Sequence, residues 1–321
     1  MTNKTPTLFI VVPCFNEQEA LPGSHEKLTK LLDEMIGEEK ISHESKLLYI
    51  DDGSRDDTWQ IIDRLVNENN NVAGVKLACN SGHQNALMAG LATAVEHCDI
   101  TVSIDADLQD DINVIPQMVE RFKQGCDIVF GVRRERKTDT WFKRTTAEMF
   151  YRMMNSLGVS TIENHADFRL MSRRAVLALL DYKERNLFIR GLVTKLGYKT
   201  DCVYYDRSAR LAGESKYPFK KMMNFAIDGI TSFSVKPVRM VFMMGILFLI
   251  IALIMLIYVL TAVFMGRSVS GWPSLILSVW LVGAFILIGL GIIGEYVGKI
   301  YTEVKNRPRY NVDSTIGFDK D

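Results

Sequence analysis

The sequence predicts an α/β domain on a mainly parallel sheet, followed by two apolar helices long enough to cross a membrane. Three observations predict it. Short apolar runs alternate with helical patterns through the first 135 residues. Acidic and amide clusters fall where three of those runs end. Two long stretches near the C-terminus carry no charge at all.

The elements follow in order. Residues 8–14 form a first strand. The run is short, holds Pro13 and leads into Asn16-Glu17, so it is no signal peptide, and the N-terminal part is expected in the cytosol. A helix is expected over 17–35 and a strand over 47–50. In 57–69, Trp59, Ile62, Leu65 and Val66 recur at helical spacing and predict a helix with one buried stripe. Strands over 72–77, 100–104 and 127–132 alternate with helices over 84–97 and 114–124. Such alternation argues for parallel strands with helices on both faces. Ligands of such sheets bind beyond the carboxyl ends of the strands.

The polar clusters sit at those ends. Pro13, Asn16 and Glu17 close the first strand, Asp51-Asp52-Gly53-Ser54 the second, and Asp105-Ala106-Asp107 the fourth. Helix capping accounts for Asp56 or Asp57, and Asp110 and Asp111 suit the start of the next helix, where its dipole favours negative charge. Capping does not account for Asp105 and Asp107. Side chains two apart on a strand point the same way, about 6.6 Å apart, so both can face one site. Clustered carboxylates repel one another and lose hydration on burial. A cation relieves both costs; such oxygen donors suit Mg²⁺ or Mn²⁺, with phosphate oxygens completing the shell.

The 321 residues hold 38 Lys+Arg and 38 Asp+Glu, so net charge gives no sign of nucleic-acid binding. Cys14, Cys79, Cys98, Cys126 and Cys202 are scattered, with neither a CxxC nor a disulfide framework. Free thiols in a reducing compartment are expected. His83 and His165 lack metal-ligand spacing and suit structural or supporting roles.

No charge falls within 240–266 or within 268–294. Each run spans about 40 Å as a helix, against about 30 Å of hydrocarbon core. A buried soluble helix is the alternative for either run, and two in tandem argue against it. The expected order is a cytoplasmic domain over 1–215, an amphipathic juxtamembrane segment over 216–239 and a first span over 240–266. A short extracytoplasmic loop over 267–273, a second span over 274–298 and a cytoplasmic tail over 299–321 complete it. Lys216, Lys220, Lys221, Lys236 and Arg239 precede the first span, and Lys299, Lys305, Arg307 and Arg309 follow the second. Arg267 alone lies between, which places both termini in the cytoplasm. In the juxtamembrane segment Phe219, Met222, Met223, Ala226, Ile230 and Phe233 share a helical face opposite Lys220, Lys221, Asn224 and Asp228. Such a helix suits the headgroups of membrane lipids, or packing on the domain.

The stretches VVPCFNEQEAL, YIDDGSRDDT, IDADLQDD, ADFRLMSRRA and RLAGESKY, then two apolar spans ending in GEYVGKIYTEVKNRPRY, occur in that order from Phe9 to Tyr310. Together they resemble the polyprenyl-phosphate glycosyltransferases of glycosyltransferase family 2, which include the dolichyl-phosphate mannose synthases. The resemblance is closest to the bacterial enzymes that glucosylate bactoprenol (undecaprenyl phosphate). It implies an inverting transferase with a Rossmann-like GT-A domain at the bacterial inner membrane. It also implies a UDP-sugar donor, an undecaprenyl phosphate acceptor and Mg²⁺ or Mn²⁺, and it is compatible with a homo-oligomer.

Residue by residue, the resemblance implies that Pro13, Asn16 and Glu17 form the first nucleotide-contacting turn and that Asp51 and Asp52 lie near the nucleoside. Asp105 and Asp107 match the metal motif, Asp107 as the more direct ligand. Asp167 matches a catalytic base or acceptor-site organiser, for which a plain salt bridge with Arg169 is the alternative. Arg207, Arg210 and Lys216 match a phosphate-holding segment, for which a solvated basic face is the alternative. Asn80 and Gly82 precede a helix whose N–H groups can approach the donor, and Ala86 and Gly90 suit close helix packing. A lipid phosphate is already anionic, so a strong general base is less necessary. Glucose is the expected hexose, for cell-surface glycan modification. An N-acetylhexosamine or aminoarabinose donor, or a transporter of lipid-linked sugar, is the rival reading.

Overall fold

The computed structural model describes residues 5–134, 165–184, 189–206 and 271–318, with scattered positions between 238 and 265. They divide into two compact units: a sheet domain that includes the segment from Arg307 onward, and a second unit that holds the C-terminal helix.

In chain order the strands are β1 Leu8–Cys14, β2 Lys46–Asp51, β3 Val72–Leu77, β4 Ile100–Ser103, β5 Ile128–Arg133, β6 His165–Ser172, β7 Thr200–Tyr205 and β8 Val312–Ile316. They form one sheet in the order β7-β5-β6-β4-β1-β2-β3-β8. β1 pairs in parallel with β2 and β4, β2 with β3, and β5 with β7. β6 runs antiparallel to β4 and β5, and β8 antiparallel to β3. All five expected strands are present, and those over 8–14 and 72–77 keep their expected limits.

Every residue of β1 is buried, as a strand covered on both faces requires. Leu8, Ile10 and Val12 share a core with Leu21, Leu28 and Leu32 of α1 (Leu21–Gly37), Ile62 of α2 (Thr58–Glu68) and Met118 of α4 (Ile115–Lys123). On the other face lies α3 (His83–Ala94). There a Cβ on Gly90 would meet Ile50 Cδ1 at 2.5 Å and Val11 Cγ1 at 2.6 Å, so glycine lets the helix sit directly on β1 and β2. Two further helices, α5 (Arg173–Leu180) and α6 (Ile189–Lys195), flank β6 and β7 in the chain. Because β2 and β3 lie to one side of β1 and β4 to the other, strand order reverses between β1 and β4. In open α/β sheets that reversal opens a crevice at the carboxyl ends.

The segment expected as a tail contains β8, which extends the sheet beyond β3. Lys46 Nζ fastens it by donating to the carbonyls of Gly317 and Asn70, both at 2.8 Å. In the second unit, α7 (Trp272–Val304) encloses the expected second span. Among the described residues α7 alone is long and apolar enough to cross a membrane. It exposes Val279, Ile286, Leu287, Ile288, Leu290 and Ile293, side chains that a soluble core would bury. About half of the first expected span, 240–266, lies outside the described residues, and the juxtamembrane segment almost entirely so, including Lys216; Arg207 and Arg210 are outside them too.

Candidate active site

The crevice between the ends of β1 and β4 is a cleft of about 370 Å³, within the range of small-ligand sites. Of the residues expected to act, Pro13, Glu17, Asp52, Asp105, Asp107 and Asp167 line it. His83 and Arg190 line it too. Asn16 and Asp51 do not.

The loops after β1 and β2 are laced together. Asn16 takes a left-handed φ of 55°, which asparagine tolerates better than most residues. Its N–H donates to Ser54 Oγ at 3.0 Å, and its Oδ1 accepts from Arg55 N at 2.9 Å. The Glu17 N–H donates to Thr58 Oγ1 at 2.9 Å. This lacing delays α1 to Leu21, four residues after the expected start at 17. The fully buried Asp51 accepts from Ser54 N at 3.1 Å through Oδ1, while its Oδ2 has no partner among the described residues.

Asp52 serves the loop that follows β3. Its Oδ1 accepts from Ser81 N at 2.7 Å and its Oδ2 from Gly82 N at 2.9 Å. Burial, with help from Asp51, holds this carboxyl above its ordinary value even though the two N–H groups favour the charged form. Gly53 makes the crossing possible: its φ is +66°, and a Cβ there would stand 2.6 Å from Asn80 N.

β4 ends at Ser103, so Asp105 and Asp107 sit on the turn beyond it rather than side by side on the strand. Leu108, with φ 43°, closes that turn by donating its N–H to the Asp105 carbonyl at 3.2 Å. Gln109 Nε2 donates to Asp107 Oδ2 at 2.7 Å. Both carboxylates still reach the cleft. Among the described residues no three His, Cys, Asp or Glu side chains form a metal cage. Two carboxylates at an open cleft fit a Mg²⁺ or Mn²⁺ that keeps waters and takes phosphate oxygens from a ligand.

Asp167, on β6, is clasped from both sides. Arg169 Nη2 lies 2.7 Å from its Oδ1 and Arg190 Nη2 3.0 Å from its Oδ2. His83 Nε2 stands 3.7 Å from the same Oδ2 and 3.6 Å from Asp105 Oδ1, so it bridges the two carboxylates. Burial alone would raise the Asp167 carboxyl; His83, Arg169 and Arg190 outweigh it and hold the group well below the ordinary range. Burial likewise works against a charged His83, and Asp167 with Asp105 overcomes it, raising the imidazole above its usual value. The ion pair that the sequence offered as an alternative for Asp167 is therefore formed, within the cleft. Arg190 was not expected from the sequence; it enters from α6, and no spacing pattern ties it to Asp167.

Residues 9–180 match the model of the family described as Glycosyl transferase family 2. The uncharacterized glycosyltransferase YkoT of Bacillus subtilis (strain 168) is 50% identical over 313 residues, 98% of this chain and 93% of its own. The prophage bactoprenol glucosyl transferase homolog of Escherichia coli (strain K12) is 40% identical over 306 residues, 94% of this chain and 96% of its own. The bactoprenol glucosyl transferase of Shigella phage SfII is 41% identical with the same coverage of 94% and 96%. A mannosyltransferase from Pyrobaculum calidifontis, solved with GDP-Man and Mn²⁺, aligns over 95% of this chain and 86% of its own at 16% identity. Its TM-score of 0.42 is too low to speak for this chain's ligands. A family model that spans more than half of the sequence, and near-full-length relatives at such identities, lead to one conclusion: this chain belongs to glycosyl transferase family 2.

Proposed function

We propose that this glycosyltransferase moves a hexose, glucose first among them, from a UDP-sugar to undecaprenyl phosphate, with inversion at the anomeric carbon. One observation carries the reading. A single cleft at the strand-order switch gathers Asp52, Asp105, Asp107, Asp167, His83 and Arg190. The relatives named as bactoprenol glucosyl transferases support the acceptor and the sugar.

In this reading Pro13 and Glu17 border the nucleotide, with Asn16 shaping their turn. Asp51 and Asp52 sit on the nucleoside side, Asp52 also fixing the loop before α3. Asp107, helped by Asp105, holds Mg²⁺ or Mn²⁺. Such an ion, when bound, stabilises negative charge on a departing diphosphate. Asp167 stays ionised and orients Arg190 and His83 rather than taking a proton, because a carboxylate held so far below its ordinary range is a weak base. The acceptor needs none, being a phosphate anion. Two anions must nevertheless meet, and Arg190, with Arg207, Arg210 and Lys216 outside the described residues, supplies positive charge to offset their repulsion.

The membrane part of the reading is a hairpin of two spans with the sheet domain and both ends in the cytoplasm. It is supported by the exposed apolar surface of α7 and the basic residues flanking both runs. Close approach of Val241 to α7 supports it as well: a Cβ on Gly289 would lie 3.1 Å from Val241 Cγ1.

The test is a donor screen. Purified protein with undecaprenyl phosphate, Mg²⁺ or Mn²⁺ and a panel of UDP-sugars is assayed by mass spectrometry for a phosphoglycolipid. UDP-glucose is expected to give the strongest product. A product from UDP-N-acetylhexosamine or an aminoarabinose donor alone would reassign the sugar, and no product from any donor would overturn the reading.

A further inference from the structure

We propose that Asp110, with Arg133 and Tyr205, is a positioning element that holds the 105–107 turn ready for a divalent cation. The inference rests on the reading of Asp107 as a metal ligand. Asp110 does not line the cleft. It is 3% exposed, although it lies in an acidic loop where its neighbour Asp111 faces solvent more freely. Asp111 is the residue that starts the following short helix, accepting from Asn113 N at 3.0 Å. Asp110 turns inward instead.

There its Oδ1 accepts hydrogen bonds from Tyr205 OH at 2.6 Å and from Arg133 Nε at 3.0 Å, and it forms an ion pair with Arg133 Nη2 at 2.8 Å. A buried carboxylate is tolerated only when paired and hydrogen-bonded, and this one is both. The donors are the last residues of β5 and β7, which stand opposite one another in the parallel register of those strands. Tyr205 is itself fixed, its ring edge-on to Phe168 with centroids 5.5 Å apart.

The other end of the turn is held as firmly. Ser24 Oγ, fully buried in α1, donates to the Ala106 carbonyl at 2.6 Å. Between the two anchors, Leu108 adopts φ 43°, a conformation that a leucine takes only when its surroundings enforce it. Gln109, 5% exposed, spans the gap and donates to Asp107. Left free, a turn carrying two carboxylates would open to separate them. Anchored at Ala106 and Asp110, it presents both before any cation arrives. Groups of this kind, one step behind a metal ligand, orient it and tune metal affinity.

The experiment measures metal binding, not turnover. Mn²⁺ is titrated into full-length protein with and without UDP, bound ion is followed by water-proton relaxation and UDP binding by calorimetry. Native protein is compared with Tyr205→Phe, Asp110→Asn and Asp107→Asn. The half-saturating Mn²⁺ concentration is expected to rise about tenfold or more in Tyr205→Phe and Asp110→Asn, with metal-free UDP binding unchanged. A merely structural role would lower the melting temperature without moving that concentration. Tyr205→Phe keeps the ring and removes only the hydroxyl, with its bond to Asp110 and the one it accepts from Arg133 Nε at 3.3 Å, so it decides the matter if Asp110→Asn does not fold. Native half-saturation in folded Tyr205→Phe, while Asp107→Asn loses Mn²⁺, overturns this proposal alone. Metal-independent UDP binding in the native protein, or native Mn²⁺ binding in Asp107→Asn, overturns the metal reading and this proposal with it.

Discussion

Arg190 Nη2 stands 3.0 Å from Asp167 Oδ2, across the cleft wall from the buried Arg169. The carboxylate thus compensates two cations, one fully enclosed and one facing the cleft. Its removal strands Arg169, whose Nη1 already lacks a partner among the described residues. Asp167→Asn is expected to lower unfolding free energy by about 3 kcal/mol in urea titration. Arg190→Gln, at a side chain 39% exposed, is expected to cost less than about 1 kcal/mol while lowering transfer roughly 100-fold. Full transfer by folded Arg190→Gln would remove it from the site.

Asp107 accepts from Gln109 Nε2 at 2.7 Å within the turn beyond β4 and faces the cleft. Asp107→Ala is expected to lose transfer by about 100-fold or more at saturating UDP-sugar, with a native melting curve. Recovery of activity in excess Mn²⁺ would show that another residue holds the ion.

Gly53 lets the loops after β2 and β3 cross. Alanine there must accept a left-handed φ of +66° and a contact of 2.6 Å with the backbone of Cys79 and Asn80. Gly53→Ala is expected to destabilise by about 2 kcal/mol and to weaken UDP binding, read by thermal melting and calorimetry.

His25, half-buried in α1, meets Tyr49 OH at 3.0 Å through Nδ1. Burial lowers its imidazole below the ordinary value, with Glu68 opposing. The folded state therefore binds fewer protons than the unfolded state as pH falls from about 6.5. Stability from this group is complete above that pH and is lost as pH drops toward the lowered folded value. Urea midpoints of native protein and His25→Asn should keep a constant separation above pH 6.5 and approach one another as pH falls below it; a separation unchanged at every pH would assign the acid sensitivity elsewhere.

The strands that read clearly in the sequence are those whose residues are apolar because both faces are covered: β1, β2, β3 and the cores of β4 and β5. β6 carries Asp167 and Arg169 at alternate positions, and its identity as a strand depends on pairing with β4 and β5 rather than on its own pattern. β8, VDSTI, is too short and too polar to announce itself. In the site, the carboxylates were legible because strand ends are where such sheets bind ligands. Arg190 and the Asp110 anchor were not, because a salt bridge joins residues that share no spacing. Asp110 in particular looks like a helix start until the fold turns it inward.

The eighth strand has a consequence for biogenesis. β3 is complete at Leu77, yet the strand that flanks it spans residues 312–316, downstream of a helix able to cross a membrane. A ribosome must therefore translate and release that helix before the catalytic sheet can close its outer edge. Until then β3 offers its unpaired backbone to any passing strand, so the domain cannot complete its sheet before residues 312–316 have left the ribosome.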